Sequence, residues 1–174
     1  MARKISLREF QESVVAKLQS LAVGDAANPS KLGVQIGTKS WLVNLSDISE
    51  ALPIPALTPV PLTRPWFCGV ANFRGNLYGI IDFSHFLGGA PASFGVDSRL
   101  LLVHQKFSVN CGIVVSRMLG LRNPEQMQPA GVEEEELPPW VAAEYRDETG
   151  KLWQELNMQG LTEHTRFLNV GLTP

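Results

Sequence analysis

In the stretch "KFSVNCGIVV" apolar side chains fall at Phe107, Val109, Cys111, Ile113 and Val115, every second position. A period of two is the strand period; a helix would need spacings of three and four. Strict alternation also implies one buried and one solvated face, so the strand is expected to be half-buried. The preceding "SRLLLV" supplies its partner. The same logic recurs along the chain. "LGVQIGTKSWLVNL" places Val34 and Ile36, then Trp41, Val43 and Leu45, around Gly37-Thr38-Lys39, which reads as a hairpin. Val70 to Phe73 and Leu77 to Ile81 flank a tip at Arg74-Gly75-Asn76. Prolines at 53, 55, 59, 61 and 65 forbid regular helix between these hairpins and allow at most edge strand. The fold is therefore expected to be mainly β.

Helix is expected in short pieces. Asp82 is placed to cap "FSHFLGG", where paired glycines end the turn. "SDISEAL" reads as one helical turn, and "QGLTEHTRFLNV" as a final helix after the strand–turn–strand of "WVAAEYRDETGKLWQELNM". The intervening "RNPEQMQPAGVEEEELPP" reads as irregular. The exception is the N-terminus. Leu7, Phe10, Val14, Leu18 and Leu21 form one helical stripe, with Ser6 and Glu9 as a capping box, so a helix is expected from about Leu7 to Val23. Residues 1–30 thus divide off as an amphipathic helix and linker from the strand-rich 31–174.

A chain of 174 residues with 44% hydrophobic and 18% charged residues can bury a substantial core. Its net charge of −2 provides no positive field to gather phosphates, so a nucleic-acid partner is not expected. No run reaches the roughly 18 apolar residues of a membrane span, and no secretory leader is evident, which points to a cytoplasmic protein without direct membrane insertion. Cys68 and Cys111 stand far apart and outside any C-x-x-C spacing, so neither a disulfide framework nor a zinc site is indicated. His85, His104 and His164 are isolated, with no second ligand at i+2, i+3 or i+4, and read as surface or helix-face residues. The acidic run Glu133–Glu136 lies between prolines and reads as a solvated loop. "FLGGAPASFG" lacks the spacing of a phosphate cradle. No convergent catalytic set, metal or cofactor is expected; the chemistry suits a surface that binds.

The best candidate for such a surface is Arg74-Gly75, a permanent multi-donor cation on a tight turn whose glycine permits unusual backbone angles. A weak internal repeat accompanies it. Pro65-Trp66 with Gly75-Asn76-Leu77-Tyr78 is matched by Pro139-Trp140 with Gly150-Lys151-Leu152-Trp153, and Asp82 and Asn157 each close a strand before a helix. Two similar strand-rich halves follow.

"GVANFRGNLYGIIDF", Gly69 to Phe83, followed by Phe86-Leu87-Gly88, resembles the signature motif of the CheW family of chemotaxis adaptors. The likeness extends from about Lys31 to Val170. "WLVNLSDISEAL" and "CGIVVSRMLGL" resemble two further family segments, while Gly79, Phe83 and Ser116 depart from the usual Pro, Leu and Asp. The N-terminal helix and the terminal "FLNV" resemble the PilI-type, pilus-associated branch, the adaptors of twitching motility. The resemblance implies two packed five-stranded SH3-like barrels, intertwined within residues 31–174, and no catalysis. It implies a bridge between the cytoplasmic tip of a methyl-accepting chemoreceptor and a CheA-type histidine kinase, at membrane-bound receptor arrays. Carried over residue by residue, it assigns receptor binding to Arg74, Gly75, Gly69 and Ile48, with Asn72 supporting the turn. It assigns no kinase-binding residue.

Overall fold

A computed structural model describes residues 30–131 and 136–173. The N-terminal helix expected from Leu7 to Val23, and most of the acidic run at 133–136, lie outside the described residues. Eleven strands and three short α-helices follow from Lys31 onward among those described.

The first hairpin joins β1 (Lys31–Ile36) to β2 (Lys39–Val43) across a turn in which Gly37 takes φ +60°. A single 3-10 turn, Leu45–Asp47, leads into β3 (Ile48–Leu52). The helical turn expected over "SDISEAL" is therefore confined to its first residues. Ser46 and Asp47 supply turn chemistry, but Ile48, Ala51 and Leu52 bury themselves as a strand. The Pro-rich stretch contributes only isolated bridges, Thr58 to Val70 and Thr63 to Gly171, as prolines demand. Next come β4 (Phe67–Phe73), β5 (Asn76–Asp82), α1 (Phe83–Phe86), β6 (Arg99–Val103) and β7 (Cys111–Val115). The chain ends with β8 (Arg117–Arg122), β9 (Gln128–Pro129), β10 (Val141–Arg146), β11 (Leu152–Leu156), α2 (Met158–Thr162) and α3 (Thr165–Leu168). The single final helix of the sequence reading is thus two, because His164 starts a new cap through Nδ1.

Two sheets result, with orders β8-β1-β2-β11-β10-β9 and β3-β6-β7-β5-β4. One has six strands instead of five, because the two-residue β9 adds to β10 at Pro129, an edge position suited to proline. The β1–β2 hairpin sits in the first sheet, the chain crosses at Leu45–Asp47 to the second, and it returns after β7 to form β8. Each sheet is joined at its middle by a parallel pair, β2 with β11 and β5 with β7. Strands from both halves of the chain thus share each sheet.

The internal repeat has a structural counterpart in the two hairpins β4–β5 and β10–β11. The Asp82 N–H donates to the Trp66 carbonyl at 2.8 Å, and the Asn157 N–H to the Trp140 carbonyl at 2.8 Å. Each side chain then caps a helix: Asp82 Oδ1 accepts from His85 N–H at 3.1 Å, Asn157 Oδ1 from Gly160 N–H at 3.0 Å. Both hairpins carry a register shift at the same place, before Gly69 and before Ala143.

The larger core lies between the sheets. Leu32, Val34 and Trp41 meet Ile81, Leu101 and Ile113 there, together with Phe83 and Phe86 of α1. A second core on the other face of the five-stranded sheet gathers Leu52, Ala71, Tyr78, Ile80, Leu100, Leu102 and Val114. Strand β7 therefore serves both layers and is buried along its whole length, not half-buried. Phe107 and Val109, which extended its alternation, lie before it in a 3-10 turn and the loop that follows. Trp66 packs edge-on against Phe86 at 5.1 Å and anchors the β4–β5 hairpin to the main core. Full burial of such side chains contributes about 1.5–3 kcal/mol each.

The two caps differ in one respect. Asp82 is buried and also accepts from Ala92 N–H at 2.7 Å, holding the loop after α1. Asp82→Ala should cost about 2 kcal/mol and Asn157→Ala about 1 kcal/mol, read as urea midpoints. Equal losses would show that the Ala92 bond contributes nothing.

Candidate functional site

The β4–β5 hairpin turns in two residues, Arg74 at φ +50° and Gly75 at φ +82°. Positive φ at both positions is the type I′ signature, for which Asn-Gly is the favoured pair. Placing arginine in the left-handed region costs about 1–2 kcal/mol. The turn is held by Asn72, whose Oδ1 accepts the Gly75 N–H at 3.2 Å, and the space where a Gly75 side chain would point is open. What this strained turn achieves is display: the Arg74 side chain is 69% exposed. Its guanidinium leans over the Phe73 ring at 4.9 Å and donates to Glu50 Oε1 at 3.3 Å. Such an exposed pair is worth at most about 1 kcal/mol, so the cation remains available to a better acceptor. Strands β3 and β4 are at opposite edges of their sheet, so the Arg74–Glu50 contact also shows the sheet curling toward closure.

The remaining predicted residues stand elsewhere. Gly69 lies five residues down β4, about 17 Å along the strand. It takes φ +122°, and a Cβ there would sit 2.3 Å from the Thr58 carbonyl oxygen. Thr58 and Val70 exchange two backbone bonds beside it, so the glycine allows the Pro-rich chain to close against β4. Ile48 is 1% exposed and belongs to the main core. Arg74, Gly75 and Asn72 therefore come together at the tip, while Gly69 and Ile48 shape the strands that support it. Glu50 was missed by sequence reasoning. Its only signal would have been the recognition of β3 as a strand that ends near the tip.

A groove of about 630 Å³ opens where the two sheets meet, next to the start of β3. The turn before β3 and the connection before β7 form one wall, and the end of β11 with α2 forms the other. Two ion pairs mark its rim: Lys106 Nζ to Asp47 Oδ1 at 2.7 Å, and Lys31 Nζ to Glu155 Oε1 at 2.8 Å. The Tyr145 hydroxyl donates to Glu155 Oε2 at 3.1 Å; burial, then the Glu155 charge, raises its pKa. Strand β3 thus runs from the groove, at Asp47, toward the tip, at Glu50.

Neither surface resembles a reaction centre. Burial pushes the Cys111 thiol up to about 12, and burial with the nearby Asp82 charge pushes Cys68 up to about 11. Both are protonated at neutral pH. The Nδ1 atoms of His104 and His164 accept backbone N–H bonds as caps. Among the described residues, no group of three His, Cys, Asp or Glu side chains is arranged to hold a metal, and no helix is long and apolar enough to cross a membrane.

The described residues thus form a mainly β fold of two sheets that share strands, with a charged hairpin tip and a groove where the sheets meet. The chain belongs to the CheW-like domain family, whose model matches residues 31–166. It is 28% identical to the protein PilI of Pseudomonas aeruginosa over 149 residues, covering 82% of this chain and 80% of that one. It is 32% identical to the protein FrzA of Myxococcus xanthus over 88 residues, 51% of this chain and 54% of that one. Among solved structures it superimposes on the scaffolding protein TtCheW from Thermoanaerobacter tengcongensis with a TM-score of 0.66. That match covers 80% of this chain and 95% of TtCheW at 16% identity, so it speaks to the fold.

At pH 8 a thiol with a pKa near 11 is about one part in a thousand thiolate. Iodoacetamide should therefore leave both cysteines of the folded protein unmodified over an hour and alkylate both in urea; fast labelling of the native state would contradict their placement.

Asp147 gives a second prediction. Its carboxylate accepts from the Thr149 hydroxyl at 2.6 Å and from Trp153 Nε1 at 2.9 Å, with further bonds from the Thr149 and Lys151 N–H groups, which hold its pKa well below the usual range. The unfolded carboxyl takes up a proton near pH 4, before the folded one does, so its stabilisation is present above that pH and lost below it. Asp147→Asn should lower Tm at pH 7, and the gap should shrink on acidification to pH 2.5.

Proposed function

We propose that this protein is a non-enzymatic signalling adaptor that couples a methyl-accepting chemoreceptor to a CheA-type histidine kinase. The system it serves is the chemosensory control of type IV pili and twitching motility, a reading supported by the PilI match over most of the chain. The adaptor acts in the cytoplasm, recruited to membrane-bound receptor arrays. Its working unit is residues 31–174, read as two intertwined barrel-like halves. The same mechanism serving flagellar chemotaxis or another output is the alternative, for which the shorter FrzA match leaves room.

The single observation that carries the adaptor reading is Arg74: a cation held at positive φ, displayed on a rigid hairpin, and engaged by the Phe73 ring and an exposed 3.3 Å ion pair. Strain of this kind is retained where a side chain must be presented in one place. In the proposed complex an acidic residue of the receptor's helical tip takes the guanidinium in a charge-assisted bond. The helix lays its apolar face toward the groove where the sheets meet, a helix-in-groove contact. Gly69 and Ile48 act through the shape of β4 and β3, and Asn72 through the turn.

Charge reversal at Arg74 tests this. Arg74→Glu should keep the wild-type circular dichroism and Tm within a few degrees, because the native pair is exposed. Its affinity for the receptor's cytoplasmic fragment should fall by about 2 kcal/mol or more, on the order of 30-fold, measured by calorimetry. Unchanged affinity would remove Arg74 from the contact.

A further inference from the structure

Four of the eight exposed large apolar side chains among the described residues, Val60, Leu62, Leu168 and Leu172, stand on two short segments that lie side by side. Single exposures are ordinary, whereas a cluster marks a contact surface. The bridge between Thr63 and Gly171 joins the segments: the Leu172 N–H donates to the Leu62 carbonyl and the Arg64 N–H to the Val170 carbonyl, both at 2.7 Å. Leu62 is the most costly of the four. It is 75% exposed and takes φ +57° directly after Pro61, in a turn closed by the Thr63 hydroxyl on the Val60 carbonyl at 2.8 Å. Proline followed by a positive φ is the type II pattern, whose second place favours glycine or asparagine. A leucine there is strained and wet at once, so the fold alone would be better served by asparagine. Behind the patch both segments are pinned, because Trp66 stacks on Phe167 at 6.4 Å. The charge around it has one sign. Residues 53–65 and 164–173 contain no Asp or Glu. Arg64 is exposed and, among the described residues, has no ion pair or side-chain bond. The Arg166 guanidinium donates to the Phe86 carbonyl and lies over the Phe86 ring, with no acid among the described residues to neutralise it.

We propose that this patch docks an apolar segment bordered by Asp or Glu side chains, with Leu62 as its anchor and Arg64 as its ion-pair donor. Strain held at an exposed side chain is what a presented anchor requires. A symmetric contact between two copies would set Arg64 and Arg166 against like charges, which disfavours a second copy as the occupant. The patch precedes β4 and Arg74 follows it, so the seven residues of that strand, about 23 Å, separate the two surfaces. Two partners can therefore be held at once. On the adaptor reading, on which this step rests, Arg74 takes the receptor and the carrier of the acidic segment is the CheA-type kinase.

The test is calorimetric binding of the full chain to the kinase alone, without receptor. Leu62→Asn should weaken binding about tenfold or more while Tm holds or rises, because asparagine accepts the backbone angle that strains leucine. Arg64→Glu should also weaken it about tenfold or more, whereas Arg74→Glu, at the far end of β4, should change it by less than about twofold. Wild-type affinity in both patch variants would overturn the proposal and leave the adaptor reading standing. Failure of the wild-type chain to bind the kinase at all would overturn both. A Tm lowered by about 5 °C or more in Leu62→Asn would assign the leucine to the fold and so overturn its role as an anchor. Two rival occupants have their own signatures: co-sedimentation of the wild-type chain with phosphatidylserine vesicles, or a concentration-dependent dimer in ultracentrifugation. Either one, lost in Leu62→Asn while kinase binding is untouched, would also overturn it.

Discussion

The parallel pairing at the centre of each sheet is what the rest of this structure depends on. Strand β2 lies beside β11 and β5 beside β7, with Trp153 level with Ser40 and Ile81 level with Ile113. Parallel neighbours cannot be joined by a tight turn, so each sheet has to be assembled from distant parts of the chain. The crossings at Leu45–Asp47 and after β7 follow from that, and they place the large core between the sheets, where Trp41, Phe83 and Ile113 share one layer. A fold tied this way cannot separate into two independent halves. The hairpin tip and the inter-sheet groove therefore keep a fixed relation.

The hairpin tip uses that rigidity. Asp82 and Trp66 lock its base through a 2.8 Å backbone bond, Trp66 sits in the aromatic cluster with Phe86 and Phe167, and Asn72 locks its turn. With both ends held, arginine can occupy a backbone region that asparagine would occupy at less cost. The equivalent hairpin β10–β11 has the same base but a different tip. Its Asp147 spends its acceptor capacity on Thr149, Lys151 and Trp153, which makes that end a structural turn. One duplicated pattern therefore supplies one displayed charge and one internally satisfied one.

The hairpins were legible in the sequence because turn chemistry is local. Gly37, Gly75 and Gly150 all take positive φ where the sequence places turns. Both helix caps and the repeat were legible for the same reason. Strand β3 was hidden because Ser46 and Asp47 signal a turn more strongly than Ile48 to Leu52 signal a strand. The burial of β7 on both faces was hidden because Gly112 interrupts the apolar pattern, while Leu100 and Leu102 pack over it from β6. Strands β8 and β9 were hidden by Gly120, by charge and by Pro129. For the site, Arg74, Gly75 and Asn72 could be found because they lie in one motif, within ten residues of its cap at Asp82. Glu50 and the groove could not, because strand exchange brings Asp47, Lys106 and Glu155 together from three distant stretches.

In the proposed role, this fold transmits receptor state to a kinase without chemistry of its own. The most direct measurement is autophosphorylation of the CheA-type kinase from the same organism, with the receptor's cytoplasmic fragment present, as this protein is titrated in. The account predicts a saturable change in rate that requires all three components. A rate that stays flat across the titration, with no complex formed with either partner, would contradict it.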